Sequence, residues 1–139
     1  MTPTELNIQI ETKVMDGKVI LMSEFLNENN IPYEKVDFQK ENDTFILASG
    51  RPVPNYCGIM EEAFLVAAKM RRDGFMFSMM WEPGKQAVVS FVLMKLRPLV
   101  KSVNEAPPKE YLFTGDTPAI AICMAAVAAK TQPVLQHGN

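Results

Sequence analysis

From Thr117 to Ala129 the chain carries no charged residue, and this stretch, bounded by Gly115-Asp116 and Lys130, constrains everything around it. Thr117-Pro118 reads as a helix start: the hydroxyl can accept a first-turn amide, and proline at the first helical position needs no donor. Asp116 suits the positive end of the helix dipole and Lys130 the negative end. Ile120, Cys123, Met124 and Val127 recur at helical spacing, while the alanines between them leave no face suited to water. Such a helix must be covered on more than one side, by a sheet, a second helix or a second copy of the chain. Self-association as a homodimer or larger assembly is therefore expected.

The other elements follow from local signals. Thr2-Pro3-Thr4-Glu5 is a capping box with proline at the first helical position, and Leu6, Ile10 and Val14 share one face of a helix to about Met15. Asp16-Gly17 closes it, with the glycine expected in the left-handed conformation. Residues 19–26 are apolar without a clean period and fit a short helix or a strand. From Tyr33 to Leu47, Val36 and Phe38 alternate with polar residues, Glu41-Asn42-Asp43 turns the chain, and Phe45-Ile46-Leu47 returns, which predicts a hairpin. Gly50, Pro52 and Pro54 mark a loop. A second helix is expected from about Gly58 to Arg72, its apolar stripe formed by Ile59, Ala63, Val66, Ala67 and Met70, and its end by Asp73-Gly74.

Phe75, Phe77, Met79 and Trp81 alternate with Met76, Ser78 and Met80, which predicts a strand apolar on nearly both faces. Glu82-Pro83-Gly84-Lys85 is a turn, and Gln86 to about Leu96 is the return strand. Tyr111-Leu112-Phe113 reads as a brief strand before the last helix. The sum is an α+β fold, a three-layer helix/antiparallel sheet/helix sandwich in one domain over residues 1–131, with 132–139 as a flexible tail. Because both faces of the second hairpin are apolar, helices are expected on both.

Composition narrows the chemistry. A net charge of −2 argues against a nucleic-acid-coating surface. No run of about 20 apolar residues and no signal-peptide pattern occurs, so no membrane span and a reducing cytosol are expected. Cys57 and Cys123 are then free thiols. Cys57 precedes a helix start, where a dipole lowers a thiol pKa, but with no base beside it the inert reading is preferred. The single histidine, His137, sits in the polar tail, so Ser-His-Asp and Cys-His mechanisms lack support. No C-x-x-C, H-E-x-x-H or Gly-rich phosphate loop is present, so neither a metal nor a cofactor is expected. Glu61 and Glu62 are adjacent on a helix and point about 100 degrees apart, a poor geometry for acid–base work. A non-enzymatic role is expected. Met76, Met79, Met80 and Met94 either pack the core or line an adaptable interface.

Four blocks carry a family resemblance: the opening MTPTELNIQIETKVMDGK, Pro54-Asn55-Tyr56 before a helix ending in Lys69-Met70, the hairpin from Phe75 to Phe91, and the closing Thr117-Pro118-Ala119-Ile120-Ala121-Ile122-Cys123. Together they resemble the phage ABA sandwich domain, although Lys18 stands where that family usually has tryptophan after the glycine, and residues 19–53 depart from it. The resemblance implies a phage or prophage accessory protein in the bacterial host cytoplasm. Small phage proteins of this build also resemble Thoeris anti-defence proteins, which sequester nucleotide-derived signals of the cyclic ADP-ribose type.

On that resemblance the expected function is binding and sequestration of a small cyclic nucleotide immune signal. The alternative is a protein-interaction module with no small-molecule ligand. A nucleotide ligand needs cations for phosphate and flat aromatic surface for the base, which points to Arg51, Trp81, Lys85 and Arg97. The competing reading of each is ordinary: Trp81 as a packed or rim aromatic, the cations as solvated charges. Tyr56 is expected to pack where the second helix begins.

Overall fold

The computed structural model describes residues 1–94 and 109–131. Helix α1 (Pro3–Gln9) starts on its capping box: the Glu5 amide donates to the Thr2 hydroxyl over 3.2 Å, and the Thr2 amide donates back to the Glu5 carboxylate over 3.4 Å. The helix continues through a π-turn, Ile10–Val14, in which the Met15 amide reaches the Ile10 carbonyl. Its end differs from expectation. The left-handed residue is Asp16, at φ 59°, and Gly17 is needed for space instead: a Cβ there would lie 1.9 Å from Oε2 of Glu11.

Residues 19–26 contain both candidates in succession, strand β1 (Val19–Leu21) and helix α2 (Met22–Glu28). The expected hairpin between Tyr33 and Leu47 does not form. Tyr33–Lys35 and Lys40–Asn42 are single helical turns, and Asp37 at φ 52° interrupts any extended run. Val36 is half exposed, so the alternation had no core to face. Strand β2 (Phe45–Leu47) pairs antiparallel with β1 instead, Ile20 opposite Ile46. The Asp43 carboxylate ties this small lobe together by accepting from the Ser23 hydroxyl at 2.5 Å and the Ser23 amide at 3.1 Å.

Helix α3 (Met60–Arg72) buries Ala63, Val66, Ala67 and Met70, while Ile59 stays outside the stripe assigned to it and is exposed. Gly74, at φ 98°, lets the chain reverse directly into β3 (Phe75–Met80). Strand β4 (Ala87–Leu93) returns from the Glu82–Lys85 turn, and β5 (Glu110–Gly115) pairs on its other side, giving the antiparallel order β3-β4-β5. Residues 95 and 96 of the expected return strand lie outside the described residues, as does the tail from 132 to 139.

Helix α4 (Pro118–Thr131) is the centre of the molecule. The Ile120 amide donates to the Thr117 hydroxyl, as the sequence required. Ala121, Ile122, Cys123, Ala125 and Ala126 are wholly buried between β4, β5, α3 and the first helix. Small side chains permit this close approach. A Cβ on Gly115 would lie 2.9 Å from the Ala121 amide nitrogen.

The fold is an α+β sandwich in a single compact domain, as expected. Cross-strand neighbours put Phe77, Phe91, Tyr111, Val89 and Phe113 on the side facing α3 and α4. The first helix packs on α4 and α3, not on the opposite side of the sheet. Since α4 is apolar all round, it competes for cover more strongly than a sheet face on which Ser78, Ser90, Glu110 and Thr114 interleave with apolar residues. Helix α4 buries most of its length within its own protomer and leaves Met124 39% exposed. No helix among the described residues is long and apolar enough to cross a membrane.

Candidate functional site

A run of exposed apolar side chains lies along one strand, while others stand at Phe64 and Leu65 of α3 and at Leu112 of β5. Along β3 and the residue after it, Met76 is 53% exposed, Met79 36%, Met80 76% and Trp81 52%, whereas the central strand β4 buries Ala87, Val89 and Phe91 completely. Strand β3 is hydrogen-bonded to β4 on one side only, and among the described residues no strand pairs with its other side. It contains no charge and no proline, the devices that usually blunt an open edge. The sequence left the methionines between core and interface. Met76, Met79, Met80 and Met94 are all at the surface, and no one-dimensional signal distinguishes an edge strand from a central one.

Three of the concavities in the described structure bear on a site. One, of about 410 Å³, is mostly apolar and runs between the start of α1 and α4 over Leu6, Phe113, Ile120, Met124 and Val127. A second, of about 620 Å³, lies in the small lobe, with Phe25, Leu26 and Phe38 as floor and Asp37, Gln39 and Asn42 as polar lining. The third, of about 470 Å³, opens at the beginning of β3, where Arg71 stands with Phe75, Met76, Phe77 and Met94. Arg71 read only as a solvent-facing helix-end charge in the sequence.

Of the residues expected to bind a ligand, the described ones, Arg51, Trp81 and Lys85, lie apart from these three concavities. Arg51 is exposed in the loop after β2, where its carbonyl accepts the Leu47 amide. Trp81 and Lys85 flank the β3–β4 turn, and Lys85 pairs with Glu82 at 3.0 Å. None of the three lines any of the concavities described. Arg97 and Lys95 lie outside the described residues, as does His137.

The interior polar groups are committed to structure. Tyr56 is buried and donates to Glu11 Oε1 at 2.6 Å; burial first, and then the bond to Glu11, push its hydroxyl pKa up. Cys57 and Cys123 are buried and free, and burial raises both thiols above their ordinary range. Asp73 joins the ends of two helices by accepting from Lys69 and Lys130, each at 2.6 Å, while Lys69 also meets Asp16 at 3.0 Å. Among the described residues no group of His, Cys, Asp and Glu is placed to hold a metal ion.

These features describe an α+β sandwich in which, among the described residues, the uncharged strand β3 has no partner on its far side. No family model, curated protein or solved structure matches this chain.

Proposed function

We propose that this chain is a non-catalytic interaction protein whose working surface is the open edge of β3, and that its partner is a polypeptide adding an extended strand there. The observation that carries this reading is the coincidence of a strand with no partner on its far side among the described residues and exposed Met76, Met79, Met80 and Trp81. Strand addition supplies main-chain hydrogen bonds, and methionine and tryptophan supply adaptable contact area on either side of them. On the resemblance to phage accessory proteins, the partner belongs to the bacterial host cytoplasm or to the phage itself.

A second reading is favoured by one feature, the Arg71 concavity. At about 470 Å³ it falls within the size of small-ligand sites, and it sets a guanidinium beside aromatic and methionine side chains. The nucleotide-derived signal implied by the resemblance is proposed to bind there, in place of the Arg51, Trp81 and Lys85 set, and to be held without conversion.

Native mass spectrometry of the protein purified from cells separates the two. A copurifying polypeptide lost on Met80→Lys supports the first reading. A nucleotide-sized adduct that leaves unchanged on denaturation, and is lost on Arg71→Ala, supports the second. A bare chain before and after incubation with cyclic nucleotides and ADP-ribose derivatives, and with no polypeptide captured, overturns both.

A further inference from the structure

Independently of both readings, we infer that the concavity of the small lobe is a binding site for an organic cation, an ammonium or guanidinium group carried on a flat apolar body. The segment that walls this cleft is bonded to α2 at both of its ends. At one end the Met22 amide donates to the Thr44 carbonyl over 2.8 Å, and the Ser23 amide and hydroxyl both donate to the Asp43 carboxylate. At the other, the Tyr33 hydroxyl donates to the Asn27 side chain over 3.2 Å, in the last turn of the same helix. Asp37, left-handed at φ 52°, lets the Phe38 amide return to the Tyr33 carbonyl over 3.0 Å and sets the Phe38 and Tyr33 rings edge to face at 4.8 Å. The wall is therefore braced, and about 620 Å³ lies between it and α2.

A space of that size with an apolar floor and a few polar groups has the build of a small-molecule site. Phe25, Leu26, Ile31 and Phe38 supply the floor. Gly50 makes room for the far end of the Phe25 ring, since a Cβ there would lie 2.6 Å from the ring Cζ. Gln39 and Asn42, whose side-chain amides meet at 3.5 Å, keep acceptor capacity beyond that one contact.

Charge selects the ligand. Asp37 is the one charged residue among the described lining residues, and among the described residues no cation or donor is bonded to its side chain. Residues 19–53 hold six acids against three bases, so the lobe is more negative than the whole chain at −2. A carboxylate beside aromatic rings attracts a cation twice over, by its own charge and by the ring quadrupoles. Asp37 is exposed, so the charged end of the ligand stays at the mouth in contact with water while its flat body rests on the rings. A phosphate group would find no cation in the described lining and would meet a like charge, which separates this site from the Arg71 concavity.

Tryptamine, an ammonium group on a flat indole, is the probe. Titrated into the isotope-labelled full chain to about 10 mM, a range suited to a fragment-sized ligand, it is expected to shift backbone amide resonances of residues 22–50 in a saturable way. Indoleacetate keeps the ring and reverses the charge, and methylamine keeps the charge and lacks the ring; each should bind about tenfold more weakly. Asp37→Asn removes the charge without removing the turn, because asparagine tolerates the left-handed conformation. Its tryptamine affinity should fall about tenfold with the circular dichroism spectrum unchanged. Absence of a saturable shift, equal binding of tryptamine and indoleacetate, or an affinity that survives Asp37→Asn would overturn the inference. So would shifts spread over the whole acidic surface that vanish in about 0.5 M salt, the mark of charge attraction without a cleft.

Discussion

The Tyr56 hydroxyl donates to Glu11 across 2.6 Å, and both residues are less than a tenth exposed. The second carboxylate oxygen of Glu11 occupies the space that a side chain at Gly17 would need. One buried carboxylate therefore fixes the end of the first helix to the segment leading into α3.

Replacing Tyr56 by Phe removes the donor and leaves the carboxylate buried without it. The expected loss is about 1–3 kcal/mol, read as a lower urea midpoint at pH 7. The same pairing predicts an alkaline response. Because the folded Tyr56 pKa is raised, its contribution is intact below the unfolded value of about 10 and declines as pH rises beyond it. A Tyr56→Phe chain should show a flatter fall of stability above that pH than the wild type; an identical fall would contradict the assignment.

Asp73 makes the opposite prediction. Burial acts to raise its pKa, but the hydrogen bonds from Lys130 and Lys69 outweigh it and hold the carboxyl below its ordinary range. Its stabilising contribution is present above the unfolded value of about 3.9 and is lost as pH falls through the folded one. Asp73→Asn should cost about 1–2 kcal/mol at pH 7, more than an exposed pair because two partly buried ammonium groups lose their partner. The gap between mutant and wild type in urea melts should close as pH falls below the unfolded value and through the folded one. A gap that persists there would assign the effect to packing.

Gly115→Ala forces a Cβ to within 2.9 Å of the Ala121 nitrogen, and the obstacle is helix backbone, which cannot rotate away. An expected loss of about 1–3 kcal/mol follows from overpacking, seen as a drop in Tm. Gly84→Ala is not a matched control, since its φ of 81° strains alanine even with open space around it. A Gly115→Ala chain as stable as wild type would show that α4 can retreat from β5.

Neither thiol should react with a disulfide reagent in the folded chain. Burial raises both Cys57 and Cys123, so little thiolate forms and little of it is reachable. Labelling is expected only as denaturant unfolds the protein, with two thiols appearing together. Fast labelling of one residue under native conditions would mark a local opening, at Cys57 through the start of α1 or at Cys123 through α4.

Much of the fold was legible because its signals are local. Thr2 to Glu5 specified its own capping box, Thr117-Pro118 its own helix start, and Asp73-Gly74 its own chain reversal, since each depends on backbone donors within one turn. The alternation from Phe75 to Trp81 likewise marked a strand. The segment from Tyr33 to Leu47 misled for the converse reason: alternation alone stabilises no strand without a neighbour, and β2 found its neighbour in β1. Arg51 and the Trp81–Lys85 turn were joined in one expected ligand set by chemistry and not by any contact a sequence encodes, and the described concavities are lined by other residues. Arg71 was missed because a helix-end cation has the same pattern whether or not a concavity lies beside it.

The sequence by itself determined that an uncharged, alanine-rich helix would sit at the centre and that an apolar hairpin would pack near it. Those outcomes follow from the cost of exposing such stretches to water, a property of the stretches alone. Which layer covered which was decided only in three dimensions. Once α4 had drawn the sheet, α3 and the first helix to itself, β3 was left at the edge with its methionines in solvent, because no residue of β3 encodes which strand will lie on its far side.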